Sequence, residues 1–164
     1  MRFIQIFTLT LLGLMGNIGL SNGAAIELTL ATNLQQDGKL AEQKQIPILV
    51  MFSAEHCVYC SALEADQLRP MLISGEYDNQ VIIRNLRIDS LEDIVYFDGK
   101  PVSGEALAAK YNVWVTPTIM FFDHTGKPLA PKIIGYNTPE MFGGYLDESI
   151  EKSRHMLRTK LAQR

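Results

Sequence analysis

The sequence predicts an α/β sandwich in which a central mixed sheet of four to five strands is flanked by helices. Two short apolar runs, Ile48–Phe52 and Thr118–Phe122, show no polar alternation, the pattern of strands covered on both faces. Segments of helical period separate the early strands, which calls for parallel pairing through a crossover. Only a tight turn at Asp123–Gly126 precedes the last strand, which calls for an antiparallel hairpin.

Taken in order, Leu28, Leu30, Ala31, Leu34, Leu40 and Ala41 follow a helical spacing over Leu28–Lys44, with Gly38 as a point of interruption and Gln45–Pro47 as the end. The strand Ile48–Phe52 runs directly into Ser53-Ala54-Glu55-His56-Cys57-Val58-Tyr59-Cys60. Ala62, Leu63, Ala65, Asp66 and Leu68 then suit a helix that holds the cysteines in its first turn and ends before Pro70. Val81–Ile88 reads as the second strand. A connection follows, with an extended piece at Ile94–Phe97 turned by Asp98-Gly99. Ser103 is placed to cap a short helix through Tyr111. After Thr118–Phe122 and its turn, Lys132–Ile134 forms the last strand. The final helix opens with Thr138 as N-cap and Pro139 at the first helical position, and Met141, Phe142, Tyr145, Leu146 and Ile150 keep its period.

The 164 residues, 47% hydrophobic and 20% charged, fit one globular core, with no internal repeat or low-complexity linker. A formal net charge of −3 and the lack of a basic stripe in the body argue against a nucleic-acid partner. Residues 1–25 differ from the rest. Arg2 is the only charge before Glu27, Phe3–Leu20 is mostly apolar, and Ser21, Gly23, Ala24 and Ala25 are small. This is the three-part pattern of a cleavable secretory signal, with cleavage after Gly23 or Ala25 and an expected periplasmic location. An uncleaved anchor is the alternative, but Gln5, Thr8, Thr10, Gly13, Gly16, Asn17 and Gly19 dilute the apolar stretch. The expected division is a signal peptide at 1–25 and one domain at 26–164, its core about 28–152.

An exported chain can hold disulfides. The two cysteines, Cys57 and Cys60, are only three positions apart, so a bridge between them closes too short a loop to act as an effective staple. At a helix N-terminus the thiolate of Cys57 faces unpaired backbone N–H groups that lower its pKa, and Cys60, one turn on, reaches it from a less exposed position. A passive bridge and a two-thiolate copper(I) site formed by Cys57, Cys60 and His56 are the competing readings. Zinc would need further ligands at suitable spacing, and no metal or other cofactor is expected.

The combination of Ile48–Cys60, Val115-Thr116-Pro117-Thr118-Ile119-Met120-Phe121-Phe122 and Gly135-Tyr136 resembles the thioredoxin superfamily over Leu28–Lys152. Within it, Tyr96-Phe97-Asp98-Gly99-Lys100 and Leu107-Ala108-Ala109-Lys110-Tyr111 look similar to periplasmic thioredoxins of sulfur-oxidation systems. The resemblance implies a thioredoxin-like three-layer sandwich. It also implies that Cys57 attacks a substrate disulfide and that Cys60 resolves the mixed disulfide. It further implies a cis bond at Thr116–Pro117 beside the redox pair, a Thr116 backbone open to an extended peptide, and tuning of the potential by Val58 and Tyr59. Trp114 is a candidate lining residue for that groove.

The chain departs from the family where a buried aspartate usually stands, at Met51, and where a lysine usually stands, near Asn85. Glu55, Glu64 or water is then the candidate for proton transfer, and His56 a candidate modulator of the thiolate. Isomerases of the family carry a dimerisation region and its periplasmic oxidases a sizeable helical insertion; Asp89–Val115 offers only a short excursion. The expectation is a monomeric reductase of disulfides in exported proteins, kept reduced by a membrane thiol donor; the alternatives are a module that binds copper(I) or holds a partner without turnover, and a disulfide oxidase.

Overall fold

The computed structural model describes residues 27–163, and the expected export segment lies outside them. The elements run α1 (Leu34–Lys44), β1 (Ile48–Ser53), α2 (Val58–Leu63), a π-helical turn (Glu64–Leu68), α3 (Arg69–Ser74), β2 (Ile82–Arg87), β3 (Ile94–Val95), β4 (Pro101–Val102), α4 (Gly104–Lys110), β5 (Thr118–Phe122), β6 (Ile133–Ile134) and α5 (Pro139–Ala162). The main sheet has the order β2-β1-β5-β6, and β3 with β4 forms a separate two-stranded hairpin. β1 and β2 are parallel, while β5 is antiparallel to both β1 and β6. The mixed sheet thus follows the expected pattern of crossover first and hairpin last.

β1 is buried along its whole length. Its alternate residues divide the core into two. Leu49 and Met51 join Ile119, Phe121, Leu63, Leu68, Phe142 and Leu146 on one face, whereas Ile48, Val50 and Phe52 join Met120, Phe122, Leu34 and Leu107 on the other. Both faces of the central strand meet helices, which is why its sequence shows no polar alternation.

Three expected boundaries move. First, Leu28–Asn33 is not helical. The Ala31 N–H donates to the Asn85 carbonyl at 2.8 Å, and the Asn85 N–H donates to the Thr29 carbonyl at 2.9 Å. These bonds cover the outer edge of β2, and pairing an otherwise open edge wins over a helical spacing that no packing partner exploits. The helix begins instead where Asn33 caps it, its side chain accepting from the Gln36 N–H at 2.9 Å. Second, Gly38 does not interrupt α1. A Cβ there would sit 2.6 Å from the His124 carbonyl oxygen, so the glycine permits close approach of the helix to the β5 turn.

Third, the helix after the cysteines does not stop before Pro70. It passes through the π turn and continues as α3, with Pro70 in the first turn of α3, and Gly75 at φ +70 ends it. The wider hydrogen-bond ring of the π turn opens the ladder where proline has no N–H to give. Smaller trims follow the same lines. β2 spans Ile82–Arg87 rather than Val81–Ile88, β3 is only Ile94–Val95, and Lys132 falls outside β6. Ser103 caps α4, accepting from the Ala106 N–H at 3.2 Å, and α5 opens at Pro139.

Candidate redox site

β1 ends at Ser53, and the chain turns through Ala54, Glu55 and His56 into α2. Cys57 is the N-cap residue of α2, in extended conformation at φ −92 and ψ 97. Its Sγ accepts from the Cys60 N–H at 3.1 Å, while its own N–H donates to the Ala54 carbonyl at 3.3 Å. The two cysteines are joined in a disulfide with Cα atoms 5.2 Å apart. Cys60 is buried, with 4% of its surface exposed, and Cys57 is half-buried at the rim. This first-turn N–H, which Sγ shares with the Cys57 carbonyl at 3.1 Å, is a group that stabilises negative charge on that sulfur once the bond is opened.

The Thr116–Pro117 peptide is cis. The register pairs Phe52 with Thr118, so Pro117 lies at the end of the sheet from which the cysteine loop departs. The Gly135 N–H donates to the Pro117 carbonyl at 2.8 Å, and the Thr118 hydroxyl donates to the Val115 carbonyl at 2.7 Å, which fixes this segment against β6. Among the described residues, neither backbone group of Thr116 has a hydrogen-bond partner. Between the cysteines Val58 is 78% exposed and Tyr59 64%, and ahead of Thr116 Trp114 is 77% exposed and Val115 is also exposed. An apolar rim and an unpaired backbone segment therefore share one end of the sheet with the sulfurs.

The candidate modulators are placed less centrally. His56 is exposed in the loop. The Glu64 carboxylate lies 3.0 Å from the guanidinium of Arg69, in the following turn. The Glu55 carboxylate meets Arg87 at 3.3 Å. Met51, fully buried, is paired in register with Asn85, so the two departures from the family pattern are cross-strand neighbours.

Two features have no counterpart in the sequence analysis. Buried Ser53 donates its hydroxyl to Asn85 Oδ1 at 2.5 Å, which satisfies a polar group on the same strand face as Met51. The second is Asp89, whose Oδ2 accepts from the Glu55 N–H at 2.7 Å. A lone serine closing an apolar run was the available signal for the first. The second depends on β1–β2 register.

A family model of the thioredoxin-like domain matches residues 34–150. Among solved structures, mitochondrial thioredoxin 3 from Saccharomyces cerevisiae in its oxidised form is 22% identical, covers 76% of this chain and 93% of its own, and superposes with a TM-score of 0.50. Thioredoxin from Fasciola hepatica is also 22% identical, with 77% and 99% covered and a TM-score of 0.50. The DsbH oxidoreductase is 16% identical, with 82% and 93% covered and a TM-score of 0.57. These likenesses show the fold. No curated protein matches the sequence.

Proposed function

The chain belongs to the thioredoxin-like domain family, and from that premise we propose that it exchanges its Cys57–Cys60 dithiol with disulfides of exported proteins, in the reducing direction. A thioredoxin-like fold with a cysteine pair that forms a disulfide at a helix N-terminus supports thiol-disulfide oxidoreductase activity. The observation that supports the roles of nucleophile for Cys57 and resolver for Cys60 is the inequality of the two sulfurs, Cys57 at the rim and Cys60 beneath it.

In the reduced protein the Cys57 thiolate attacks one sulfur of a substrate disulfide. A mixed disulfide forms, and the other substrate sulfur leaves as a thiolate and takes a proton. Cys60 then loses its proton, attacks Cys57 Sγ and releases the second substrate thiol. Two electrons and two protons have passed to the substrate, and the Cys57–Cys60 disulfide remains. A membrane dithiol donor returns it to the reduced form.

A polypeptide substrate fits the surroundings of the sulfurs. Val58, Tyr59, Trp114 and Val115 offer apolar contact, and the unpaired Thr116 backbone offers strand-like hydrogen bonds to an extended segment. The segments that resemble sulfur-oxidation thioredoxins have a packing role. The hydroxyls of Tyr96 and Tyr111 meet at 2.7 Å, and Tyr111 donates to the Gly126 carbonyl at 2.8 Å. The proposal therefore extends to disulfides of exported proteins generally, with a monomer as the acting unit.

Trapping separates the roles of the sulfurs. Cys60→Ser is expected to accumulate mixed disulfides with partners, seen as adducts that disappear on reduction. Cys57→Ser is expected to accumulate none. Equal trapping by the two variants would overturn the assignment.

A further inference from the structure

We propose that Arg87 and Asp89 are positioning residues that set the reactivity of Cys57, by fastening the loop ahead of it and by fixing the charge around it. The inference rests on the exchange reading of the Cys57–Cys60 pair.

The loop Ala54–His56 has to hold still for Cys57 to occupy the N-cap of α2. Its local fastening is one long turn bond, from the Cys57 N–H to the Ala54 carbonyl at 3.3 Å. The firmer fastening comes from the far side of the sheet crossover. Asp89 Oδ2 accepts from the Glu55 N–H at 2.7 Å, a charge-assisted bond to a backbone group two residues from the sulfur. Arg87 stands behind it, 3.3 Å from the Glu55 carboxylate and 3.9 Å from Asp89 Oδ1. β2 is held in register with β1 up to the Ser53–Arg87 pair, and the Ile88 N–H donates to the Ser53 carbonyl at 2.9 Å. Arg87 and Asp89 are thus delivered to the cysteine loop by the parallel strand pair itself.

This clamp carries two carboxylates and one guanidinium. Reduction of the disulfide creates negative charge at Cys57, which the carboxylates oppose and the guanidinium favours. His56, exposed on the same loop, and Tyr59, exposed between the cysteines, are further titratable side chains next to Cys57 in the chain. All three members of the clamp are partly solvated, Glu55 most of all. Their influence is therefore modest and sensitive to salt.

The account makes opposite predictions for opposite charges. Asp89→Asn keeps an oxygen acceptor for the Glu55 N–H while removing one negative charge, and Glu55→Gln removes one without touching that backbone bond. Both should speed iodoacetamide alkylation of Cys57 at pH 7 by about two- to threefold, the size expected of one charge several ångströms away in water-like screening. Both should also move the equilibrium with glutathione toward the dithiol. Arg87→Gln should slow alkylation and move the equilibrium toward the disulfide by a similar factor. These differences should shrink in about 1 M salt, where the screening length falls to about 3 Å.

Shifts of the same sign in Asp89→Asn and Arg87→Gln, or no shift in either, would overturn the proposal, as would shifts indifferent to salt. Should Arg87→Gln fail to fold, Glu55→Gln and Asp89→Asn still decide, since both must accelerate. If the unaltered protein does not exchange with glutathione or protein disulfides, the function reading fails. Alkylation of the chemically reduced protein still tests the clamp separately.

Discussion

Trp114 is the only tryptophan in the chain, and it stands mostly in water two residues before Thr116. A side chain of that size left exposed two residues ahead of the cis peptide is best explained by contact with a partner, since its burial in a complex returns more apolar free energy than most other residues can supply. Trp114→Ala is therefore expected to lower kcat/KM for reduction of the insulin disulfides by about tenfold, within the range of an interface anchor. Turnover of a small soluble disulfide should stay nearly unchanged. The same indole offers a direct signal, because its emission should shift to shorter wavelength when a mixed disulfide forms. Equal losses with large and small disulfides would place Trp114 in the protein's stability rather than in substrate contact. At this scale chain spacing paired the two cysteines with Val58 and Tyr59 between them, and the resemblance to the thioredoxin superfamily brought Thr116 and Pro117 to the pair. The sequence did not reveal Ser53, Arg87 or Asp89 as parts of the site, because their partners are reached only through β1–β2 register.

The elements most readable in the sequence are those whose signal is local. Ile48–Phe52 and Thr118–Phe122 are unbroken apolar runs, and Ser103 and Pro139 mark helix starts by their own chemistry. The elements misread are those decided by tertiary partners. Leu28–Asn33 pairs with β2 through Leu30 and with β3 through Asn33 although its spacing suits a helix, and the π turn absorbs Pro70 although proline ordinarily marks a break. α1 shows how such partners hold an element in place. Its Asp37 is buried and receives Arg84 of β2 through Nε at 3.0 Å to both carboxylate oxygens and through the terminal nitrogen at 2.6 Å. Arg84 also donates to the Ile83 carbonyl at 2.8 Å. Removing one member strands the other, a loss of about 3–5 kcal/mol for a fully buried pair. Because Arg84 keeps some contact with water, Asp37→Ala should cost about 2–3 kcal/mol, measured by urea unfolding. A loss under about 0.5 kcal/mol would mean that packing alone fixes α1.

The molecule as a whole has its redox pair at one end of the sheet and a charged anchor at the other. Asp123, after β5, is buried, which by itself pushes its carboxyl up. The hydroxyl and backbone N–H of Thr125, the Lys127 N–H and the Lys160 ammonium, which ties α5 to the sheet, outweigh that and hold it below the ordinary carboxylate range. A carboxyl depressed in the folded state adds stability above its unfolded pKa of about 3.9, and loses it as pH falls through the folded value. Asp123→Asn should accordingly be less stable at neutral pH and lose less stability below about pH 4, followed as melting temperature against pH. A parallel pH profile in both proteins would remove Asp123 from the acid response. The direction of electron flow is likewise a property of the whole fold, since it is set by the relative stability of the oxidised and reduced states. It is measured most directly by equilibrating the Cys57–Cys60 couple with glutathione. The reductase account predicts a potential close to the thioredoxin value of about −270 mV. A value near −120 mV, that of a strong dithiol oxidant, would contradict it.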